Sequence, residues 1–461
     1  MTPAQRLRRR RASLARWEPV VEGRLVGAIG TALEAEGCPL PIGAACRIEV
    51  QEGDGDGTEG DGRGSRIEAE AIGFSAGRTR LMTTSGDGVP RPGARVVPRR
   101  TRPSVPVGEA LLGRVIDVDG RPIDGRGPLG ASTCVPLGRA PLSPLARGAI
   151  DEPFATGVRA IDALLTLGRG QRVGLMAGSG VGKSALLGMI TRGNEADVTV
   201  VALVGERGRE VREFVEDALG PDGLARAVVV AVPADRPPLA RLRGALAATA
   251  IAEGFRDQGR HALLLVDSVT RWAQAQREIG LAGGEMPVAR GYPPSVFAGL
   301  PRLIERAGAL ASGGAITAIY TVLAEGDDVQ DPIVDASRAI LDGHIVLDRA
   351  LADAGHYPAI DVAGSVSRTL SRVVDPAHAA RIRAALELEA SWRRAEDLVR
   401  TGLYRPGTDE TLDRAIATRP AWHRFLQQDV GTNVEGDQAR RELAAFLDGA
   451  RSGTTAEAER G

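Results

Sequence analysis

Residues 172–187 read RVGLMAGSGVGKSALL: an apolar run, a glycine-rich turn, then a helix-forming stretch. Gly178, Gly180 and Gly182 let successive backbone N–H groups approach a bound anion, because no Cβ stands in the way. The helix start that follows adds the positive end of its dipole. Lys183 and Ser184 close the turn at the spacing of a phosphate loop. There an ammonium reaches the β- and γ-phosphates of a nucleotide and a hydroxyl ligates Mg²⁺. Lys183 is the only lysine among 58 Lys and Arg residues. Arginine's broad planar fork is no substitute for a slim ammonium inside a backbone cradle. Ala177 stands where the strict pattern begins with glycine, and the strand–turn–helix context outweighs that departure.

Two further strand tips carry carboxylates. HALLLVD puts Asp267 at the end of an apolar run, where it can hold the Mg²⁺ shell. Such strands are common in isolation; paired with the loop upstream, this one points to the metal acid. VTVVALVGERGRE puts Glu206 at another tip, placed to polarise a water that attacks a phosphoryl group. A surface ion pair with Arg207 or Arg209 is the structural alternative for Glu206.

These groups need rigid elements to hold them. From about 102 to 375, near-continuous apolar strands alternate with helical stretches: RVGLMAG, VTVVALVGE, AVVVAVPAD, HALLLVD and ITAIYTVL. That texture predicts a parallel sheet buried on both faces, with ligands beyond the carboxyl ends of the strands. Residues 20–101 show short, Gly- and Pro-punctuated β-like runs, predicting a small barrel or sandwich. Residues 376–461 show helical periodicity and predict a helical C-terminal domain. Residues 1–19 are a basic leader that is either a solvated tail or a short docking helix. The acidic, Gly-rich segment 52–64 reads as a solvated hairpin loop, since Thr58 and Glu59 break a calcium-loop pattern.

Composition narrows the class. The 461 residues carry a formal net charge of −1, which argues against a general nucleic-acid coat. Cys38, Cys46 and Cys134 are too few and too scattered for a disulfide framework or zinc cage, so reduced thiols in a cytosol are expected. No apolar run approaches the ~20 residues that span a bilayer, and the basic leader lacks the apolar stretch of a signal peptide.

The strings VGERGREVREF, LVDSVTRWAQAQREIG, GYPPSVFAGLPRLIERAG, TVLAEGDDVQDPIVDASRAILDGHIVLDR and GHYPAIDVAGSVSR together resemble the ATPases of type III protein export. More closely they resemble the flagellar branch, itself related to the catalytic subunit of rotary ATP synthases. The resemblance runs from about residue 20 to about 430 and is densest between 150 and 370. It implies an α/β fold: a RecA-like parallel-sheet P-loop ATPase core with an N-terminal β-barrel and a C-terminal helical domain. It also implies a homohexamer with ATP sites between subunits.

Carried over residue by residue, Gly178, Ser179, Gly180, Val181, Gly182, Lys183, Ser184 and Ala185 match the family's phosphate loop, Glu206 its catalytic carboxylate, and Asp267, with Ser184, its magnesium site. Arg207 and Arg271 match phosphate-side arginines, and Tyr357 the tyrosine that stacks on adenine. Arg368, in SVSR, matches an arginine finger offered to the neighbouring subunit, with an intramolecular salt bridge as the alternative. Rotary synthases divide the catalytic Glu and the SVSR-type arginine between two subunits. Here one chain carries both, so identical copies can complete each other's sites.

The resemblance further implies ATP and Mg²⁺, a dimeric stator-like regulatory protein at the N-terminus, export-gate membrane proteins, chaperone-bound substrates, and a cytoplasmic location against the inner membrane. A virulence-type (injectisome) secretion ATPase is the nearest alternative. A ring-shaped nucleic-acid motor of the transcription-termination type shares the core, but its β domain needs aromatic platforms and a basic groove. Residues 20–101 offer one aromatic, Phe74, and an acidic loop. A ring that binds nucleotide without turnover fits poorly with a full set of catalytic residues.

Overall fold

The computed structural model describes residues 21–49, 66–85, 90–99, 102–130, 132–324 and 331–458. The basic leader 1–19 and the segment 52–64 lie outside the described residues. The chain divides into two compact units. One holds the residues up to Pro103 with Arg236–Leu239 and Glu278–Pro287; the other holds the rest.

The first unit is a closed six-stranded barrel. Its strands are β1 (Gly23–Ile29), β2 (Ala32–Glu36), β3 (Ala45–Glu49), β4 (Arg66–Ser75), β5 (Arg78–Thr83) and β6 (Arg95–Pro98), ordered β1-β2-β5-β4-β3-β6. Alternation builds it: along β4, Ile67, Ala69 and Ala71 are buried between less buried neighbours. With Leu25, Leu33, Ile48, Leu81 and Val96 they fill the interior. Bulges at Leu25/Gly27 and Ala71/Gly73 bend the strands, which closure of so small a barrel requires. Cys38 and Cys46 are buried, free thiols, and Cys134 is exposed and free.

The second unit is built on a sheet of β7 (Arg114–Ile116), β8 (Arg172–Ala177), β9 (Val198–Val204), β10 (Ala227–Val232), β11 (His261–Asp267), β12 (Ala315–Leu323), β13 (Gly343–Leu347) and β14 (Ile360–Ser367). The order is β14-β13-β8-β12-β11-β9-β10-β7. Successive residues serve opposite faces. Leu175, Leu203 and Leu265 enter one core, while Met176, Ala202 and Val266 enter the other. Helices α1 (Arg159–Leu164) and α2 (Lys183–Gly193) cover the first face; α3 (Pro238–Arg256) and α4 (Pro294–Ile304) cover the second.

Two features add to the sequence reading. Strand β14 runs antiparallel to β13, because the connection between them carries only the short helix Arg349–Asp353 and not a sheet-covering crossover. The C-terminal helices α5 (Pro376–Arg400), α6 (Glu410–Leu426) and α7 (Gly436–Ala458) pack within the second unit. Their residues Ile382, Trp422, Phe425 and Leu443 share one hydrophobic cluster with Leu175 and Leu186 of the nucleotide region. Asp375 and Asp409 cap α5 and α6 by accepting from the backbone N–H of His378 and Leu412. Among the described residues no helix is long and apolar enough to cross a membrane.

Candidate active site

The carboxyl ends of four neighbouring parallel strands converge. Strand β8 ends at Ala177 and runs into the loop Gly178–Gly182; β9 is followed by Gly205 and Glu206; β11 ends in Asp267; β12 ends at Leu323. Their largely Val, Leu and Ile content buries the strands on both faces, and the polar groups of the site fall at these tips. A cavity of ≈ 560 Å³ opens there. Gly178, Ser179, Gly180, Gly182, Lys183, Ser184 and Ala185 line it from the loop side, and Glu206, Glu210, Arg207, Arg241 and Arg271 from the other.

The loop geometry depends on glycine at two places. Gly180 and Gly182 have φ of +76° and +87°, in the left-handed region that other residues avoid. Gly182 is the N-cap of α2, whose first residue is Lys183. Val181 is buried beneath the loop and anchors it. The Ser179 carbonyl accepts a hydrogen bond from Arg349 at 3.1 Å.

Lys183 is held by both carboxylates. Its Nζ donates to Asp267 Oδ1 and Oδ2 at 2.5 and 2.6 Å and to Glu206 Oε1 at 3.4 Å. Burial alone depresses the ammonium's pKa; Asp267 and Glu206 outweigh that and hold it above its ordinary value. Glu206 is pushed up to about 7, first by burial and then by the Asp267 charge, with Lys183 pulling the other way. One ammonium thus compensates two carboxylates, and Glu206 is the one left partly uncompensated.

Asp267 lies beneath Lys183, 3% exposed, rather than on the cavity wall. The Thr321 hydroxyl, on the adjacent strand, donates to Asp267 Oδ1 at 2.6 Å and fixes its orientation. Ser184 is exposed in the cavity. A serine hydroxyl with one buried carboxylate is the hard-oxygen donor set that suits Mg²⁺, which takes its remaining ligands from phosphate and water. Accordingly, no group of three or more His, Cys, Asp or Glu that could hold a metal occurs among the described residues. The residues present fit the ion.

Arg271 packs its stem on Gly205, where a Cβ would stand 3.0 Å from that of Arg271, and donates to Gln274 at 3.1 Å. Arg207 is exposed and sits 3.8 Å from Glu210. Tyr357 is not on the cavity wall, but a Cβ on Gly182 would meet its ring at 3.2 Å, so the ring flanks the loop. Arg368 does not join this cluster. It is exposed just beyond β14, and its side chain reaches the Arg338 carbonyl at 3.2 Å. Sequence reading missed Thr321, Glu210, Arg241 and Gln274. For Thr321 the sequence held no distinguishing signal, since ITAIYTVL contains two threonines and the neighbouring strand is set only by the fold.

Comparison with known proteins agrees with this geometry. Residues 157–367 match the ATP synthase alpha/beta family, nucleotide-binding domain, and residues 374–445 match the T3SS EscN ATPase C-terminal domain. A Pseudomonas aeruginosa protein named flagellum-specific ATP synthase is 50% identical over 436 residues, covering 94% of this chain and 95% of its own. A Xanthomonas euvesicatoria protein named type 3 secretion system ATPase is 47% identical over 408 residues, covering 88% and 89%. The assembled ATPase EscN from the enteropathogenic E. coli type III secretion system superposes with a TM-score of 0.85 at 43% identity, over 92% of this chain and 100% of its own. EscN assembled with its central stalk EscO gives 0.82 at 42% identity over the same shares. The chain therefore belongs to the ATP synthase alpha/beta family, among its flagellum-specific and type III secretion ATPases.

Proposed function

We propose that this chain hydrolyses ATP with Mg²⁺ as the ATPase of a flagellar type III protein export apparatus, working as a homohexameric ring that promotes entry of unfolded substrates into the export gate. The observation that carries the reading is the convergence of the phosphate loop, Lys183, Glu206 and Asp267 on one arginine-lined cavity, while Arg368 stays outside it. Flagellar naming of the 50% identical relative favours the flagellum over the injectisome.

In this reading the N–H groups of Gly178 to Ser184 cradle the phosphates, and Lys183 exchanges Asp267 for phosphate oxygens as the triphosphate enters. Ser184 and Asp267 would hold Mg²⁺, which would supply neutralisation of the charge on the transferred group. Ionised Glu206 orients and polarises the attacking water. Arg207 and Arg271 bind phosphate from the cavity wall, and Tyr357 stacks on adenine. Arg368 reaches the site of the next subunit, where such a finger is worth about 10³–10⁵ in rate. The segments 1–19, 20–101, 102–375 and 376–461 serve as leader, barrel, catalytic region and helical region. The leader is the candidate dock, by position, for a dimeric stator-like protein. Gate proteins and chaperone-bound substrates complete the partners, at the cytoplasmic face of the inner membrane.

Lys183→Ala and Glu206→Gln should each abolish ATPase activity. Mixed rings of Lys183→Ala and Arg368→Ala subunits should recover part of it at hybrid interfaces. Absence of recovery in rings shown to be mixed rejects the finger in trans.

A further inference from the structure

The turn between α6 and α7 is plugged into the nucleotide region at two places. Gln428, 6% exposed, is its anchor. Its Oε1 accepts from the Arg159 N–H at 2.8 Å, and its Nε2 donates to the Gly157 carbonyl at 2.8 Å and to Thr432 O at 3.1 Å. Its backbone N–H donates to the Tyr357 carbonyl at 3.0 Å. A single residue therefore ties the tyrosine beside the phosphate loop to the entry of α1. That entry is itself rigid, because buried Asp162 accepts from Thr156 N–H, Thr156 Oγ1 and Gly157 N–H.

The same turn reaches the far end of the phosphate-loop helix. Arg192 of α2 donates to Val430 O at 2.6 Å. Asn433 Oδ1 lies so near the backbone that a Cβ on Gly157 or Gly193 would stand 2.2 or 2.8 Å from it. Gly157 also needs glycine for its φ of +81°. One turn of the C-terminal helices thus contacts both the helix that carries the phosphate cradle and the residue that flanks it.

We propose that Gln428 is a positioning residue that sets the place of Tyr357, so that affinity for the purine, and not for the phosphates, depends on how the C-terminal helices are seated. The proposal rests on the stacking role given to Tyr357 above. A fully bonded side chain locks the Gln428 backbone, and that backbone is what holds the Tyr357 peptide.

The experiment compares full-length Gln428→Ala, Gln428→Glu, Tyr357→Ala and the double variant Gln428→Ala/Tyr357→Ala. It reads KM and kcat for ATP and the inhibition constant of inorganic triphosphate, a competitor without a base. Base–aromatic stacking predicts a KM rise of roughly 5- to 150-fold for Tyr357→Ala. Gln428→Ala should raise KM about 5- to 20-fold, with kcat and triphosphate inhibition within about twofold, the signature of lost binding rather than lost chemistry. Gln428→Glu keeps the shape and the acceptor for Arg159 but sets a carboxylate oxygen against the Gly157 carbonyl, so KM should rise there too. The double variant should be no worse than Tyr357→Ala, because the two act on one contact. Equal weakening of ATP and triphosphate overturns the proposal, since the turn would then only brace the phosphate helix. A raised KM in Tyr357→Ala beside an unchanged KM in both Gln428 variants overturns it alone. An unchanged KM in Tyr357→Ala overturns the stacking reading and this proposal with it.

Discussion

Glu206→Gln should cost all turnover and yet stabilise the protein. The side chain of Glu206 is 14% exposed, and burial with the Asp267 charge moves its carboxyl from an ordinary 4.5 to about 7. That difference amounts to a penalty of about 3 kcal/mol on the ionised form at 1.36 kcal/mol per pH unit. The sign follows from proton uptake. Between pH 4.5 and 7 the folded chain keeps the Glu206 proton that the unfolded chain releases, so stability rises as pH falls through this window. Above pH 7 the carboxylate is ionised in both states and the full penalty stands. Glutamine removes the charge and with it this penalty, from which the attraction of Lys183 is already discounted, so the gain approaches about 3 kcal/mol above pH 7. For a unit of roughly 350 residues that is about 4 °C in Tm. Calorimetry of the parent and Glu206→Gln at pH 8 and pH 5, with ATPase assays at pH 8, measures it. The gain should be large at pH 8 and should shrink at pH 5. A variant that melts below the parent at pH 8, or that gains equally at both pH values, refutes the electrostatic account of this site.

Thr321→Val removes the hydroxyl that donates to Asp267 Oδ1 and should lower kcat roughly 10-fold with little change in KM; steady-state kinetics showing an unaltered kcat contradicts it. Glu253→Ala strands Arg306, which is 2% exposed and donates to both Glu253 oxygens at 2.8–2.9 Å. It should cost about 3–5 kcal/mol in urea unfolding while KM for ATP in the folded fraction holds.

Most of the site was legible because strand ends and loops obey local rules. The glycines of the phosphate loop and the unique Lys183 can be read from one short string. Asp267 and Glu206 are polar residues that end apolar runs, and a parallel sheet puts all such ends on one side. The barrel was legible too, from period-two alternation between Gly and Pro punctuation. What escaped depends on which strands become neighbours. Thr321 meets Asp267 only because β12 lies beside β11, and nothing within ITAIYTVL marks that residue as different from Thr317. Gln428 meets Tyr357 across a long stretch of chain, through a backbone donor that every residue type possesses. The helical region was legible by its periodicity, but that its apolar residues join the cluster of Leu175 and Leu186 is a matter of tertiary packing, which periodicity within the helices cannot reveal.

The solitary lysine has a second role that its motif does not express. Asp267 and Glu206 are brought together at adjacent strand tips, and two carboxylates that close repel by several kcal/mol in a buried setting. Lys183 bridges them, so the residue proposed to bind the nucleotide also offsets that repulsion. In the proposed function, a bound phosphate would compete with Asp267 and Glu206 for this ammonium. An arginine at position 183 could satisfy the carboxylates, with five donors in place of three, but its planar fork would not fit between the loop's N–H groups and a phosphate. The charge pairing alone would therefore tolerate Lys183→Arg. The cradle does not, and that is the constraint which separates this position from the other basic residues of the chain.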